Sequence, residues 1–221
     1  MPDVWVKPPS LADVIIPAEI ERQKAILDAE RRLNNLGWQI VTNYDTSSNK
    51  YPDCDCTDVT WDRVMLAADQ VRVALPHDKA SNFGRLWYSY INDKRTWLSL
   101  PWEYRGAGAA GAMAYSGQGR LVDQAGIWAG KLQPGAVMQA WNVAEDYYRV
   151  RNGDPVVGDP NIRYGHSFIF LNYVHSDKGA IGMQVADNGF QGHSSFVAPG
   201  EFAIWFGANH NSGVRLADLI Y

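Results

Sequence analysis

The order of the periodicities along the chain predicts an α+β fold, with N-terminal helices packed on a C-terminal antiparallel β-sheet. Three observations carry this expectation. Apolar residues recur at helical spacing in the first third of the chain. From Ala136 onward, short apolar runs alternate with Gly, Asn, Asp and Pro signals. His175-Ser176-Asp177-Lys178-Gly179 reads as a hairpin turn joining two of those runs. Helices followed by strands, rather than interleaved with them, mark the α+β class.

Residues 1–16 hold Pro2, Pro8 and Pro9 without a clear period and read as an extended arm, leaving 17–221 as one α+β domain. Between Pro17 and Leu36, the apolar Ile20, Leu27, Leu33 and Leu36 alternate with Glu21, Arg22, Lys24, Glu30 and Arg31. Pro17 suits a first helical position and Gly37 a stop, which predicts an amphipathic helix with a solvated charged face. Trp38-Gln39-Ile40-Val41 then reads as a short strand, and 43–50 as polar turn material.

Trp61, Val64, Met65, Ala68, Val71 and Leu75 form one apolar helical stripe that Pro76 ends. The aromatic stretch 82–100, with Phe83, Trp87, Tyr88, Tyr90 and Trp97, is mostly helical in spacing, and core packing is its simplest use. Residues 106–119 are rich in Gly and Ala; no Lys-Ser/Thr follows, so a loop or a tightly packed helix fits better than a phosphate cradle. A short helix is expected over 120–132, ending at Gln133-Pro134-Gly135. Strands are expected over 136–141, 167–174, 180–186, 202–206 and 214–220, with 167–174 and 180–186 antiparallel neighbours.

Composition narrows the function classes. At 221 residues and 46% hydrophobic, the chain can bury a substantial core, and 9 Trp and 11 Tyr with only 20% charged residues argue against disorder. A net charge of −4, with no basic run to offset it, argues against nucleic acid as a partner. No basic region precedes a long apolar run, and no stretch is long enough to span a bilayer. The expectation is a protein made in the cytoplasm without a signal peptide. Action elsewhere would require a dedicated secretion machine or lysis.

The only cysteines, Cys54 and Cys56, are too close in sequence to pair well with each other. Cys56 falls at the start of the helical stripe, where unpaired N–H groups and the positive end of the helix dipole favour a thiolate. Thiol catalysis also needs a base and a group that orients it. Of five histidines, His77 follows a proline at the helix's far end, His175 lies in the hairpin turn, and His193 and His210 sit in polar segments. His166 instead opens the hydrophobic run Gly165-His166-Ser167-Phe168-Ile169-Phe170. In a hairpin the start of one strand faces the end of the next, so Asp187 or Asn188 is expected near His166, with Gln184 a poorer third candidate.

These residues resemble the NlpC/P60 and CHAP cysteine peptidases and amidases, papain-like enzymes that mostly cut peptidoglycan peptides. Asp55-Cys56-Thr57 resembles the family's Asp-Cys-Ser, Leu132-Gln133-Pro134-Gly135-Ala136-Val137 its Leu-x-Pro-Gly-Asp-Leu strand entry, and Gly165-His166-Ser167-Phe168-Ile169 its Gly-His-Val-Ala-Ile. The likeness runs from about Trp38 to Asn188. Asp58 replaces the usual Gly and Ala136 the usual Asp, and the region 76–131 is longer than a minimal member needs.

The resemblance implies a papain-like fold and a thiol hydrolase, with Cys56 as nucleophile, His166 as base and Asp187 or Asn188 as orienting group. Backbone N–H groups at the helix start, with Tyr51 or Tyr44, would face the oxyanion. It implies no cofactor, a peptidoglycan peptide or protein substrate, and a monomer. By analogy with injected amidase effectors or phage lysis enzymes, it also implies export by a specialised system, action in a target cell's periplasm, and an immunity partner. Acyl transfer or protein deamidation would use the same constellation, whereas a binding module would use the cysteines only structurally. A zinc site from Cys54, Cys56, His193 and His210 lacks the usual ligand spacing.

Overall fold

The computed structural model describes residue 22 and residues 36–43, 56–154, 165–177, 179–186 and 194–210. Besides the helical residues 36–43, the helices are α1 (Cys56–Val71), α2 (Asn82–Trp87), α3 (Lys94–Ser99), α4 (Gly108–Tyr115), α5 (Gln124–Trp128) and α6 (Ala144–Arg151). The strands are β1 (Gly119–Asp123), β2 (Val137–Trp141), β3 (His166–Ser176), β4 (Gly179–Ala186), β5 (Ser194–Val197) and β6 (Ile204–His210). They form one antiparallel sheet in the order β1-β6-β2-β3-β4-β5. The chain is thus α+β, with most of the helical segments preceding most of the strands.

Alternation along the strands divides the core in two. Val137, Trp141, Ile169 and Ala208 face the layer that contains α1 and α4, while Met138, Ala140, Phe168, Phe170 and Trp205 face the opposite side, under Ile127 of α5. β2 sits in the middle and is buried at all five positions, which is why its sequence is a nearly continuous apolar run. The apolar stripe of α1 packs as its spacing predicts up to Val71, but the helix ends there rather than at Pro76, so Leu75 is buried from a loop. Val64, Met65 and Ala68 are buried, and Trp61 sits between Phe83 at 5.5 Å, Trp87 at 5.3 Å and Tyr88 at 5.6 Å.

The hairpin between 167–174 and 180–186 forms as expected, with Ile169 opposite Ala186 and Ser176 opposite Gly179. The Gly/Ala-rich stretch becomes α4, whose residues Gly108 to Ala114 are all buried. Its small side chains let the helix lie close on the sheet.

Several segments depart from the sequence reading. Trp38-Gln39-Ile40-Val41 is not a strand, because residues 36–43 are helical and bury Leu36 and Ile40 four residues apart on one face. Gly37 does not stop that helix. Its lack of a side chain serves close packing instead, since a Cβ there would lie 2.7 Å from His210 Cδ2.

The expected helix over 120–132 is instead β1 followed by α5. Asp123 ends the strand and caps the helix, its carboxylate accepting from Gly126 N at 2.8 Å. The helix α6 and the short β5 were not foreseen, and the expected strand over 202–206 runs instead from Ile204 to His210. Arg22 is helical, in keeping with the helix expected after Pro17. The expectations for 1–16, for most of 17–35, for 44–50 and for 214–220 lie outside the described residues. Among the described residues, no helix is long and apolar enough to cross a membrane.

Candidate active site at the start of α1

Cys56 is the first residue of α1, half-buried, and a thiol rather than half of a disulfide. Neighbouring side chains fix the helix start in place. Thr60 Oγ1 donates back to the Cys56 carbonyl at 2.8 Å and approaches the Ser167 carbonyl at 3.3 Å. Thr57 Oγ1 lies 3.5 Å from Ser167 Oγ, which donates to the buried Gln139 Oε1 at 2.8 Å. On the other flank, Trp87 Nε1 donates to the Thr57 carbonyl at 3.2 Å. The first turn of α1 is therefore held against the second residue of β3 and, through it, against the middle of β2.

His166 is the residue before that contact, at the first position of β3 and opposite Ala140. Gly165 must be a glycine, because a Cβ there would overlap the Ala140 carbonyl oxygen. The pleat sends His166 and Ser167 to opposite faces. Ser167 faces α1. The His166 ring lies 5.4 Å from Phe168 and nearly parallel to Phe202 at 6.2 Å, on the aromatic face. What α1 touches is thus the neighbour of the histidine, at the end of the sheet where β3 begins.

Asp58, two residues after Cys56, turns away from the thiol, since two residues along a helix are about 200° apart around its axis. Its carboxylate accepts from Lys79 Nζ and from the Tyr88 hydroxyl, each at 2.7 Å. Partial burial works to raise its pKa, but the hydrogen bonds from Lys79 and Tyr88 and the Lys79 charge outweigh this and hold it below the usual carboxylate range. Lys79 and Tyr88 also line a half-open cavity of about 340 Å³, together with Ala80, Arg85, Tyr90 and Asn92. The cavity thus shares Lys79 and Tyr88 with the Asp58 carboxylate.

The orienting candidates Asp187 and Asn188, the oxyanion candidates Tyr44 and Tyr51, and Cys54 and His193 lie outside the described residues. Gln184 is opposite Asn172, six residues along β3 from His166 and so about 20 Å away, which removes it as an orienting group. His77 is exposed and lies 3.1 Å from Asp69, and His175 is exposed near the hairpin turn.

His210 corrects the sequence reading, for it sits in no polar loop but ends β6, buried. Its Nε2 donates to the Gly135 carbonyl at 2.6 Å, and Nδ1 has no hydrogen-bond partner. Burial lowers its pKa against the opposing pull of that carbonyl. Nothing in the short sequence around His210 signalled this, because Gly135 is 75 residues away. Among the described residues, no group of three His, Cys, Asp or Glu side chains could hold a metal ion.

The chain matches no protein-family model, no curated protein and no solved structure.

Proposed function

We propose that the protein is a thiol hydrolase that cleaves amide bonds, with peptidoglycan peptides as the substrate class. The supporting observation is the docking of the first turn of α1 on Ser167, which brings the start of the cysteine helix and the start of the histidine strand to one end of the sheet. In this reading the Cys56 sulfur attacks the amide carbonyl carbon, and N–H groups of the first turn of α1 receive the oxyanion. His166, having taken the thiol proton, gives it to the leaving amine as the C–N bond breaks, leaving a thioester. Water then attacks the thioester, His166 takes its proton, and the carboxylic acid and thiol are regenerated.

The reading makes one geometric demand. The imidazole must lean past the end of β3, since the pleat sets His166 on the face opposite Thr57. NlpC/P60-type architecture and the orienting role of Asp187 or Asn188 belong to the same proposal. Its test is the release of new amino groups from purified peptidoglycan by wild-type protein and by Cys56→Ala. Wild-type release that Cys56→Ala abolishes supports the proposal; equal rates overturn it.

A second reading, an aromatic-walled binding module, draws on the half-open cavity between Lys79, Arg85, Tyr88 and Tyr90. It predicts that ligand capture survives Cys56→Ala and is lost on Tyr88→Ala.

A further inference from the structure

The turn before α4 and the end of α6 bring two arginines together, and among the described residues neither is ion-paired to a carboxylate. Arg105 is only 8% exposed, yet its Nε and Nη1 are buried with no hydrogen-bond partner. Arg151, the last residue of α6, also buries its Nε without a partner, although its guanidinium hydrogen-bonds to the Tyr147 hydroxyl. Both guanidiniums lie against the indole of Trp102, with their central carbons 4.8 Å and 3.9 Å from its ring centre. Burial lowers the Arg105 pKa and the nearby Arg151 charge lowers it further, while the Glu103 charge opposes both.

This arrangement is costly as it stands. A buried charge is ordinarily paired, and a buried N–H ordinarily has an acceptor. An indole face attracts the charge of a guanidinium. It does not replace the oxygen acceptors that the N–H groups of the fork are built to meet. Two like charges brought together add repulsion, offset in part by Glu103, that a bound anion would relieve further. The chemistry that answers all three deficits is a single group carrying at least two oxygens and a negative charge, the natural partner of an arginine fork.

The surroundings are built rather than accidental. Trp141 Nε1 donates to the Gly106 carbonyl at 2.7 Å, fixing the residue after Arg105 to the end of β2. Tyr147, one turn before Arg151, packs on Trp141 at 6.2 Å. Trp102 is 49% exposed, so the cluster reaches the surface beneath a half-open indole.

We propose that Arg105, Arg151 and Trp102 form an oxyanion-binding site that takes a carboxylate or phosphoryl group. The site stands on residues separate from Cys56 and His166, and its test reads binding rather than turnover. Wild-type protein is titrated with inorganic phosphate and, separately, with glutarate, against sodium chloride at matched ionic strength, while thermal unfolding is followed. The expected result is a saturable rise in Tm of roughly 5–10 °C at a hundredfold excess over Kd. Arg105→Met removes the rise, while Arg120→Met, at an exposed position of β1, keeps it. A response to phosphate alone assigns the phosphoryl group, one to glutarate alone the carboxylate, and one to both the shared chemistry.

Because Arg105→Met could fail to fold, the arginine Nε–H resonances of wild-type protein provide a second readout. Two of them should shift saturably with the same ligand. No saturable response beyond chloride in either readout, or an undiminished response in folded Arg105→Met, would overturn the site.

Discussion

His166 begins β3 at one end of the sheet, while His210 ends β6 at the other. The register puts His166 level with Ala140 and His210 two residues beyond Ala208, level with Gly135, so the two are about 17 Å apart along the strands. The rings are used differently. His210 is sealed, with one nitrogen committed to a backbone carbonyl and the other facing no partner. It ties the Pro134-Gly135 turn to β6 beside the helix at 36–43. His166 is half-buried against aromatic rings, next to the residue that anchors the cysteine helix. A histidine that exchanges protons needs access, whereas a histidine that locks a turn is sealed from solvent.

The comparison breaks most visibly in activity. His166→Gln is expected to reduce amide hydrolysis by about 10⁴-fold or more, as loss of a triad base does. His210→Gln should leave turnover per folded molecule within about twofold at low temperature, since its effect is on stability. Initial rates normalised to folded protein check both. If the two variants exchanged behaviour, the assignment of roles to the two ends of the sheet would be reversed.

Stability sharpens the same contrast. Gly165→Ala should cost about 3 kcal/mol, because the new methyl overlaps the Ala140 carbonyl and β3 must shift to admit it. Gly200→Ala, where a Cβ would meet nothing within 4 Å, is the control and should change stability by less than about 0.5 kcal/mol. Urea unfolding of the two variants measures the difference. A mild Gly165→Ala would mean that the start of β3 is loose, and so a poor mount for a catalytic base.

At His210 the expected signature is pH dependence. Its folded pKa lies below the unfolded value, so on acidification the unfolded chain takes up the proton first. The stability associated with the neutral ring is therefore present above about pH 6.5 and is lost as pH falls below it, with a slope of at most about 1.4 kcal/mol per pH unit. Melting wild-type protein and His210→Gln between pH 7.5 and 5.5 should show a steeper fall for the wild type. The variant should also be less stable at pH 7.5 by about 1–3 kcal/mol, having lost a buried hydrogen bond. Parallel pH profiles would rule out titration of His210 as the cause.

How much of this was legible in the chain depended on whether the signal was local. The α1 stripe and the hairpin are short-range patterns, and both formed, although α1 ends at Val71, where Arg72 takes a left-handed φ of 60°, rather than at Pro76, and leaves Leu75 outside the helix. Trp38-Gln39-Ile40-Val41 was ambiguous because four mostly apolar residues after a glycine suit a strand or a helix, and only the burial of Leu36 with Ile40 decides between them. The helix α6 is half charged and buries only Asp146, Tyr147 and Val150, too sparse a stripe to stand out. His210 and the Arg105–Arg151 pair were invisible for a different reason. Their roles are set by partners 75 and 46 positions away, and no local composition marks a residue that tertiary structure will seal. At the candidate site, Cys56 and His166 stood out as sequence positions, but their setting in Thr57, Thr60, Ser167 and Gln139 did not.

The smallest expected effect concerns Asp58, where two influences on the cysteine helix compete. A carboxylate in the first turn stabilises α1 through its dipole, yet its negative charge works against a thiolate formed beside it. Lys79 offsets much of that charge at 2.7 Å. Asp58→Asn would remove the carboxylate and leave the Lys79 ammonium facing the helix start. The net change favours an anion there by the typical worth of one charge at a helix terminus, so the Cys56 alkylation rate at pH 7 should rise about two- to fivefold. Stability should fall by less than about 1 kcal/mol, because the lost ion pair is largely solvated. Iodoacetamide kinetics on Cys54→Ser and Cys54→Ser/Asp58→Asn proteins isolate the Cys56 signal. An unchanged rate would mean that Cys56 does not sense the charge two residues along its own helix, and would weaken the case that the start of α1 is arranged to hold a reactive anion.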